Sequence, residues 1–168
     1  MHTDALGDAA PTRERDQHFM RLALEQAHIA VSLGEVPVGA VVVYDGQPLA
    51  AAYNRREIDA DPSAHAEFRA LLQAARALDR WRLCGCTVYV TLEPCIMCAG
   101  LMHQARIDRC VYGAADPKAG ALGTLYSVHE DTRLNHGFAV SAGVCERECS
   151  DLLRSFFVGL RSKRGEER

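Results

Sequence analysis

The sequence has no run of apolar residues that approaches the roughly 20 needed to cross a membrane. Residues 1–16 carry acids, proline and glycine in place of the apolar segment of a secretory signal, and no internal repeat or low-complexity segment follows. The length of 168 residues, with 48% hydrophobic and 24% charged residues, is typical of one soluble globular domain. We therefore predict a single domain at residues 17–161, between a flexible extension at residues 1–16 and a charged tail at residues 162–168.

The sequence also has no large excess of either charge. Its formal net charge of −3 does not indicate a polyanionic partner for the surface as a whole. If a nucleic acid binds this chain, a local patch of basic residues has to hold it.

The cysteines do not have the pattern of a disulfide-stabilised scaffold. Their number, seven, is odd, and a chain of this length forms a core without covalent links. We therefore expect reduced thiols, as in a cytoplasmic protein. Cys110 lies in an apolar run and is predicted to be a core residue, while Cys145 and Cys149 are predicted to pack a helix rather than to bind a second metal.

Two short motifs together offer three soft metal ligands and one carboxylate. The first is His65-Ala66-Glu67, and the second is Pro94-Cys95-Ile96-Met97-Cys98. Three ligands of the nitrogen and sulfur type suit zinc and leave its fourth tetrahedral position open for water, which is the layout of a catalytic site. Bound zinc lowers the pKa of water to about 7, so that hydroxide is available at neutral pH. We predict that His65, Cys95 and Cys98 hold zinc.

The spacing within each motif gives its side chains separate roles. Glu67 lies two residues after His65, about 200° further round an α-helix, so the two cannot bind one metal from the same helical face. With Ser63 as the predicted N-cap, Glu67 instead reaches the bound water and moves protons. Cys95 and Cys98 share one face of a helix start, and Pro94 is predicted in its first turn.

His-x-Glu followed by Pro-Cys-x-x-Cys is the signature of zinc-dependent nucleobase deaminases, which add water to a ring carbon and release ammonia. Other interpretations remain open for the cysteine half of the pattern. A lone Cys-x-x-Cys can be a redox pair or two buried thiols. A structural zinc site could also be made by Cys84, Cys86, Cys95 and Cys98. That site leaves the His-x-Glu pair unexplained, so we favour the catalytic site.

Hydrophobic periodicity predicts a helix, a hairpin and then two strand–helix units. An α/β fold follows, a three-layer α/β/α sandwich with a mixed sheet of about five strands. Helices are predicted at residues 17–33, from residue 65 through about 78, at 95–104 and at 146–161. Strands are predicted at residues 36–44, 48–53, 87–92, 109–113 and 139–142.

Five motifs lie along the chain, at residues 36–41, 54–55, 65–67, 91–100 and 116–121. They resemble, in the same order, motifs of the bacterial tRNA adenosine deaminases, the TadA family of the cytidine deaminase-like superfamily. The resemblance extends over about residues 17–160. It implies a cytidine deaminase-like fold and a hydrolase that binds one Zn²⁺ per subunit. It also implies a homodimer that converts adenosine to inosine at the anticodon wobble position of tRNA.

The same resemblance implies three substrate contacts. Asn54 would hydrogen-bond the flipped base, the Ala66 backbone would add a second contact, and Asp116 would lie where the neighbouring nucleotide enters. From the residues alone, Asn54 could simply end the hairpin and Asp116 could be an ordinary turn residue before Pro117. The candidates for phosphate contacts are Arg55, Arg56, Arg106, Arg109, Lys118, Arg154, Arg161, Lys163 and Arg164.

Two other functions remain open from the sequence. One is a guanine or other free-base or nucleoside deaminase on the same scaffold, which would need no RNA and would be insensitive to salt. The other is a non-catalytic, zinc-stabilised RNA-binding module, whose closed metal site would need Cys84 or Cys86.

Overall fold

One mixed sheet of five strands lies at the centre of the computed structural model, which describes residues 12–166. The strand order is β2-β1-β3-β4-β5; β1 is antiparallel to β2 and β3, whereas β3, β4 and β5 are parallel. The strands are β1 Gly39–Tyr44, β2 Gln47–Tyr53, β3 Cys86–Leu92, β4 Arg109–Ala114 and β5 Ala139–Ser141. The helices are α1 Arg13–Ser32, α2 Ala66–Ala77, α3 Ile96–Ala105 and α4 Glu146–Glu166, with a 3₁₀ turn at Val128–Glu130.

Helices cover both faces of this sheet because alternate strand residues point to opposite sides. On one face Val41 packs in a core with Phe19 of α1, and α4 adds to that core. On the other face Val42 packs with Leu71 of α2 and Met102 of α3. The predicted α/β/α sandwich with about five strands is confirmed.

The hairpin at the start of the sheet also follows from its sequence. Asp45 and Gly46 both have positive φ, 49° and 71°, which is the conformation of a two-residue hairpin turn. Pro48 is accommodated because β2 is an edge strand. β1 lies between two strands and is buried almost throughout, which explains its continuous apolar run.

The two ends of the domain differ from the prediction. α1 begins at Arg13, four residues before the predicted boundary, because the Thr12 side chain caps it by accepting a hydrogen bond from the Arg15 N–H at 3.2 Å. The predicted flexible extension is therefore wrong for residues 13–16, and its residues 1–11 lie outside the described part of the chain. α4 continues to Glu166, so the predicted tail is helical up to that residue, and residues 167–168 again lie outside.

All seven cysteines lie within residues 12–166, and none is in a disulfide. Cys110 is buried as predicted, and Cys149 of α4 packs in the core beside α1 with Cys145 against it. None of the helices in this part of the chain is long and apolar enough to cross a membrane.

A buried ion pair ties α1 to the sheet. The Asp16 carboxylate accepts hydrogen bonds from both terminal nitrogens of Arg109, at 2.8 and 2.7 Å, and from the Tyr89 hydroxyl at 2.8 Å. Removing one partner of a buried pair leaves the other charge uncompensated. We therefore expect Asp16→Ala to lower the free energy of unfolding by about 3–5 kcal/mol in urea denaturation.

The matched control is Arg133→Ala, which breaks an ion pair of similar geometry on the surface, between Arg133 and Asp131 at 2.6 Å. The denaturation midpoint of this variant should not move, because exposed pairs contribute little. Equal midpoints for the Asp16→Ala variant and the unsubstituted protein would contradict the assigned role. The pair also shows that Arg109 is a structural residue rather than a phosphate contact.

Candidate metal centre and substrate cavity

The two motifs meet because of how the sheet is connected. β2 and β3 are each antiparallel to β1, so they run in the same direction and end at the same edge of the sheet. α2 follows β2 after a loop, and α3 follows β3 after three residues. The first residues of both helices therefore lie side by side at that edge.

Three side chains at these helix starts form a group that could hold a metal ion, called the metal-binding group below. The Nδ1 atom of His65 lies 3.7 Å from the Cys95 sulfur and 3.6 Å from the Cys98 sulfur. Tetrahedral zinc, with bonds of about 2.0 Å to nitrogen and 2.3 Å to sulfur, separates such atoms by about 3.5 Å. The donor set and its spacing thus fit a tetrahedral metal ion.

No second group of three or more His, Cys, Asp or Glu side chains within residues 12–166 has metal-binding geometry. Cys84 is exposed, Cys86 is a buried residue at the start of β3, and neither joins the group at the helix starts. The alternative structural site of four cysteines is therefore wrong.

Two of these three side chains belong to N-cap residues. His65 caps α2 and Cys95 caps α3, both with extended backbone, and neither side chain makes a capping hydrogen bond. The predicted N-cap, Ser63, is wrong, because its N–H and hydroxyl both donate to the Asp61 carboxylate, at 2.8 and 2.7 Å. Pro94 likewise precedes the N-cap instead of lying in the first turn of α3. Helix N-termini favour thiolate over thiol, which suits metal binding.

The pKa values of the two cysteines are shifted in opposite directions. The pKa of Cys95 is lowered to about 4, first because Cys98 hydrogen-bonds to it and also because His65 does. The pKa of Cys98 is raised, because its thiol pairs with Cys95 and is buried. The pKa of His65 is raised by its hydrogen bond to Cys95. The lowered pKa of Cys95 favours its thiolate form, which is the form that binds soft cations.

Glu67 lies in the first turn of α2 and faces the same site. Its side chain is buried. Of the buried side-chain nitrogen and oxygen atoms within residues 12–166, only its Oε2 atom and Nδ1 of His129 have no hydrogen-bond partner. Burial raises the pKa of this carboxyl group. A buried carboxylate oxygen without a partner at the wall of a cavity is placed to exchange protons with a bound molecule.

A cavity of about 440 Å³ opens beside the metal-binding group. Cys98 lies behind its wall, fully buried. Leu153 and Phe157 of α4 give the cavity an apolar side and were not predicted as site residues, because their helical spacing only indicated a packed face. The structure thus brings all the predicted site residues together. Those that line the cavity are Asn54, His65, Ala66, Glu67, Cys95 and Asp116.

Asn54 is held by a buried acid that the sequence did not single out. Its amide nitrogen donates to Oε2 of Glu35 and to the Val36 carbonyl, both at 3.3 Å, and its oxygen accepts from the Arg56 N–H at 3.2 Å. The second Glu35 oxygen accepts the Ile58 N–H at 2.7 Å. Glu35 thereby fixes the orientation of the Asn54 amide. An acid at the start of an otherwise apolar run was the available signal.

Asp116 is both a turn residue and part of the cavity wall, so both interpretations that the sequence left open apply to it. Its Oδ1 atom accepts the backbone N–H groups of Lys118 at 2.9 Å and of Ala119 at 3.3 Å, which makes it the first residue of a turn. The same residue lines the cavity. The turn is confirmed, and the position is compatible with contact to a bound molecule.

Of the candidate phosphate contacts, Arg56 and Lys118 are the two that line the cavity. Arg55 is paired with Asp59 at 2.7 Å, and Arg106 donates to the Asn135 side chain at 3.2 Å. Positive charge at the cavity rim therefore comes from Arg56 and Lys118.

The chain is similar to known deaminases over nearly its whole length. The model of the MafB19-like deaminase family matches residues 14–161. The tRNA-specific adenosine deaminase of Bacillus subtilis is 45% identical over 150 residues, which are 89% of this chain and 93% of that protein.

Solved structures agree with this similarity. One, from structural studies of A-to-I editing by tRNA:A34 deaminases at the wobble position of transfer RNA, has a TM-score of 0.78 and 43% identity, and covers 81% of this chain and 99% of its own. The guanine deaminase of Bacillus subtilis has a TM-score of 0.58 and 34% identity, and covers 64% and 69%. The second structure shows that a free-base deaminase shares the fold.

Proposed function

Since the chain belongs to the family of tRNA-specific adenosine deaminases, we propose that it hydrolyses adenosine to inosine at the wobble position of a tRNA anticodon and releases ammonia. The observation that carries this proposal is the geometry at the cavity. Three metal-binding side chains and the unpartnered carboxylate oxygen of Glu67 meet there, as hydrolytic deamination requires.

We propose zinc, one ion per subunit, as the metal held by His65, Cys95 and Cys98. Zinc in such a site supplies a water whose pKa is about 7. Glu67 accepts a proton from the attacking water and delivers it to N1 of adenine. The bond from oxygen to C6 forms in this addition. Glu67 then takes the proton of the new C6 hydroxyl and delivers it to the amine, so that the C6 carbonyl forms, the bond from C6 to nitrogen breaks and ammonia leaves.

The remaining cavity residues bind and orient the base. The N–H of Ala66 is in the first turn of α2, where helix N–H groups have no partner within the helix, so it is available to the base. Asn54 offers its oxygen in the orientation that Glu35 fixes. Leu153 and Phe157 supply an apolar surface against the ring, and Asp116 lies where a neighbouring nucleotide would pass.

A tRNA anticodon loop suits this cavity because its bases are single-stranded. Such a base leaves its stack at a cost of only a few kcal/mol.

We further propose that the enzyme is a cytoplasmic homodimer. The free cysteines support a reducing compartment. The exposed side chain of Trp81, beside an apolar groove between α2 and α3, supports contact with a second copy.

Salt dependence separates this function from that of a guanine deaminase, which the similar fold makes the second candidate. If Arg56 and Lys118 each contact one phosphate of a single strand, a fourfold rise in salt should lower affinity for an anticodon stem-loop about sevenfold. The measurement is kcat/KM for inosine formation at roughly 50 and 200 mM salt, the range over which such effects are seen. Turnover of guanine would not respond to salt.

The variant Lys118→Ala should reduce the slope of log(kcat/KM) against log(salt) by about 0.7, because one phosphate contact is lost. Arg133→Ala, a surface arginine that does not line the cavity, is the matched control and should leave the slope unchanged. A slope of zero in the unsubstituted protein, or an equal reduction by both variants, would contradict the assigned RNA contacts.

A further inference from the structure

A second buried acid, Glu93, lies between β3 and the first residue of the metal-binding helix. Its side chain is 2% exposed, and none of the ion pairs within residues 12–166 includes it. Burying a carboxylate without a cation is costly unless hydrogen bonds compensate for the lost water. The groups that donate those hydrogen bonds therefore show what Glu93 holds in place.

All of its donors come from one segment, residues 115–124, which we call the cavity loop. Oε2 accepts the Asp116 N–H at 2.9 Å and the Thr124 hydroxyl, and Oε1 accepts the N–H groups of Leu122 at 3.2 Å and Thr124 at 3.0 Å. A carboxylate has about four acceptor positions, so these donors use its full capacity. One side chain thus fastens both ends of the cavity loop.

The middle of the cavity loop is hydrogen-bonded to Pro94 and paired with Cys95, the two residues that follow Glu93. The Ala121 N–H donates to the Pro94 carbonyl at 2.9 Å, and Gly120 forms a β-bridge with Cys95. A Cβ atom on Gly120 would overlap the Glu93 carboxylate, so the close approach depends on glycine at this position. The loop is therefore held directly against the residue that supplies a metal ligand.

We propose that Glu93 is a positioning residue for substrate: it holds the cavity loop, and with it the substrate-facing wall at residues 115–119, at a fixed distance from the metal centre. This inference rests on the proposed function, since the substrate whose binding it controls is the one proposed above. The groups that carry out hydrolysis lie on α2 and α3, outside the cavity loop. Loosening the loop therefore weakens substrate binding more than it slows the chemical step.

The test is Glu93→Gln. The amide keeps one acceptor oxygen, but its nitrogen faces N–H donors of the loop and leaves them unpaired. We expect KM for the anticodon stem-loop to rise about tenfold, kcat to stay within about threefold, and zinc content to equal that of the unsubstituted protein. A folded, zinc-loaded variant with unchanged KM would overturn the proposal, and so would a fall in kcat alone.

If Glu93→Gln does not fold, two milder substitutions of Thr124 test the same proposal. Thr124→Val removes one donor to Glu93 and should raise KM about threefold, whereas Thr124→Ser keeps the hydroxyl and should restore the original KM. A merely structural role predicts that stability falls in Thr124→Val while KM is unchanged. That result would overturn the proposal.

Backbone amide exchange, measured without substrate, separates this inference from the proposed function. The amides of Leu122 and Thr124 should exchange faster in Glu93→Gln than in the unsubstituted protein, because their acceptor is weakened. If the unsubstituted protein turns over guanine instead of RNA, the KM comparison is made with guanine. If it turns over neither, the proposed function fails, and unchanged exchange would overturn the anchoring role of Glu93 independently.

Discussion

Replacing Glu67 by alanine is expected to lower kcat by about 10²–10⁴-fold while the protein keeps its zinc. The reason is the division of roles at the site. The three atoms that could hold a metal ion belong to other side chains, and the buried Oε2 atom of Glu67 has no hydrogen-bond partner among residues 12–166. Removing it takes away the group that moves protons but leaves the metal ligands in place. The measurement is kcat together with metal content on the same preparation.

Glu25→Ala is the matched control, since Glu25 is an acid on α1 with an exposed side chain that does not line the cavity. It should keep both kcat and zinc. Loss of zinc together with activity in Glu67→Ala would mean that Glu67 is itself a ligand, and the assigned division of roles would be wrong. Turnover within tenfold of the unsubstituted protein would contradict proton transfer by Glu67.

Replacing Cys98 by alanine is expected to remove the metal and the activity together. Cys98 is fully buried, and its sulfur lies 3.6 Å from the His65 nitrogen, so the substitution removes one of the three ligands of the proposed zinc site. Loss of a ligand should weaken zinc binding more than the 10- to 100-fold, roughly, that follows from removing a group outside the ligand set. Because metal binding stabilises the folded state, Tm should also fall, and added zinc should no longer raise it.

Cys84→Ser is the control for this experiment. Cys84 is exposed and does not belong to the metal-binding group, so the variant should keep full zinc content and turnover. Loss of zinc from Cys84→Ser would restore the closed four-cysteine site and with it the non-catalytic RNA-binding module. Chelation followed by zinc addition should inactivate and then reactivate the unsubstituted protein.

Much of the fold follows from local sequence because its signals are strong and close together. The apolar run of β1, the Asp45-Gly46 turn and the apolar stripe of α4 each act within a few residues. Boundaries were less predictable. The start of α2 is set by the position of His65 in the metal-binding group, and Ser63, which has a typical capping side chain, instead bonds Asp61.

Some residues of the candidate site could likewise be predicted from local sequence, and others could not. The grouping of His65, Cys95 and Cys98, with Glu67 beside them, could be predicted because two compact motifs contain these residues. Glu35 and Glu93 could not, since each acts on residues far along the chain: Glu35 bonds Asn54, 19 residues away, and Glu93 bonds Thr124, 31 residues away. Contacts of this kind depend on how β1, β3 and the cavity loop are arranged in space, which periodicity does not specify. The same is true of Arg109, a candidate phosphate contact that is paired with Asp16.

Ammonia release by the zinc-loaded protein tests the central claim most directly. The substrates are an anticodon stem-loop with adenosine at the wobble position, free guanine and free adenosine, assayed in parallel. The proposed function predicts ammonia from the stem-loop and none from the two small molecules. Ammonia from guanine alone would keep the hydrolytic site but contradict the tRNA substrate, and no ammonia from any of the three would contradict the deaminase itself.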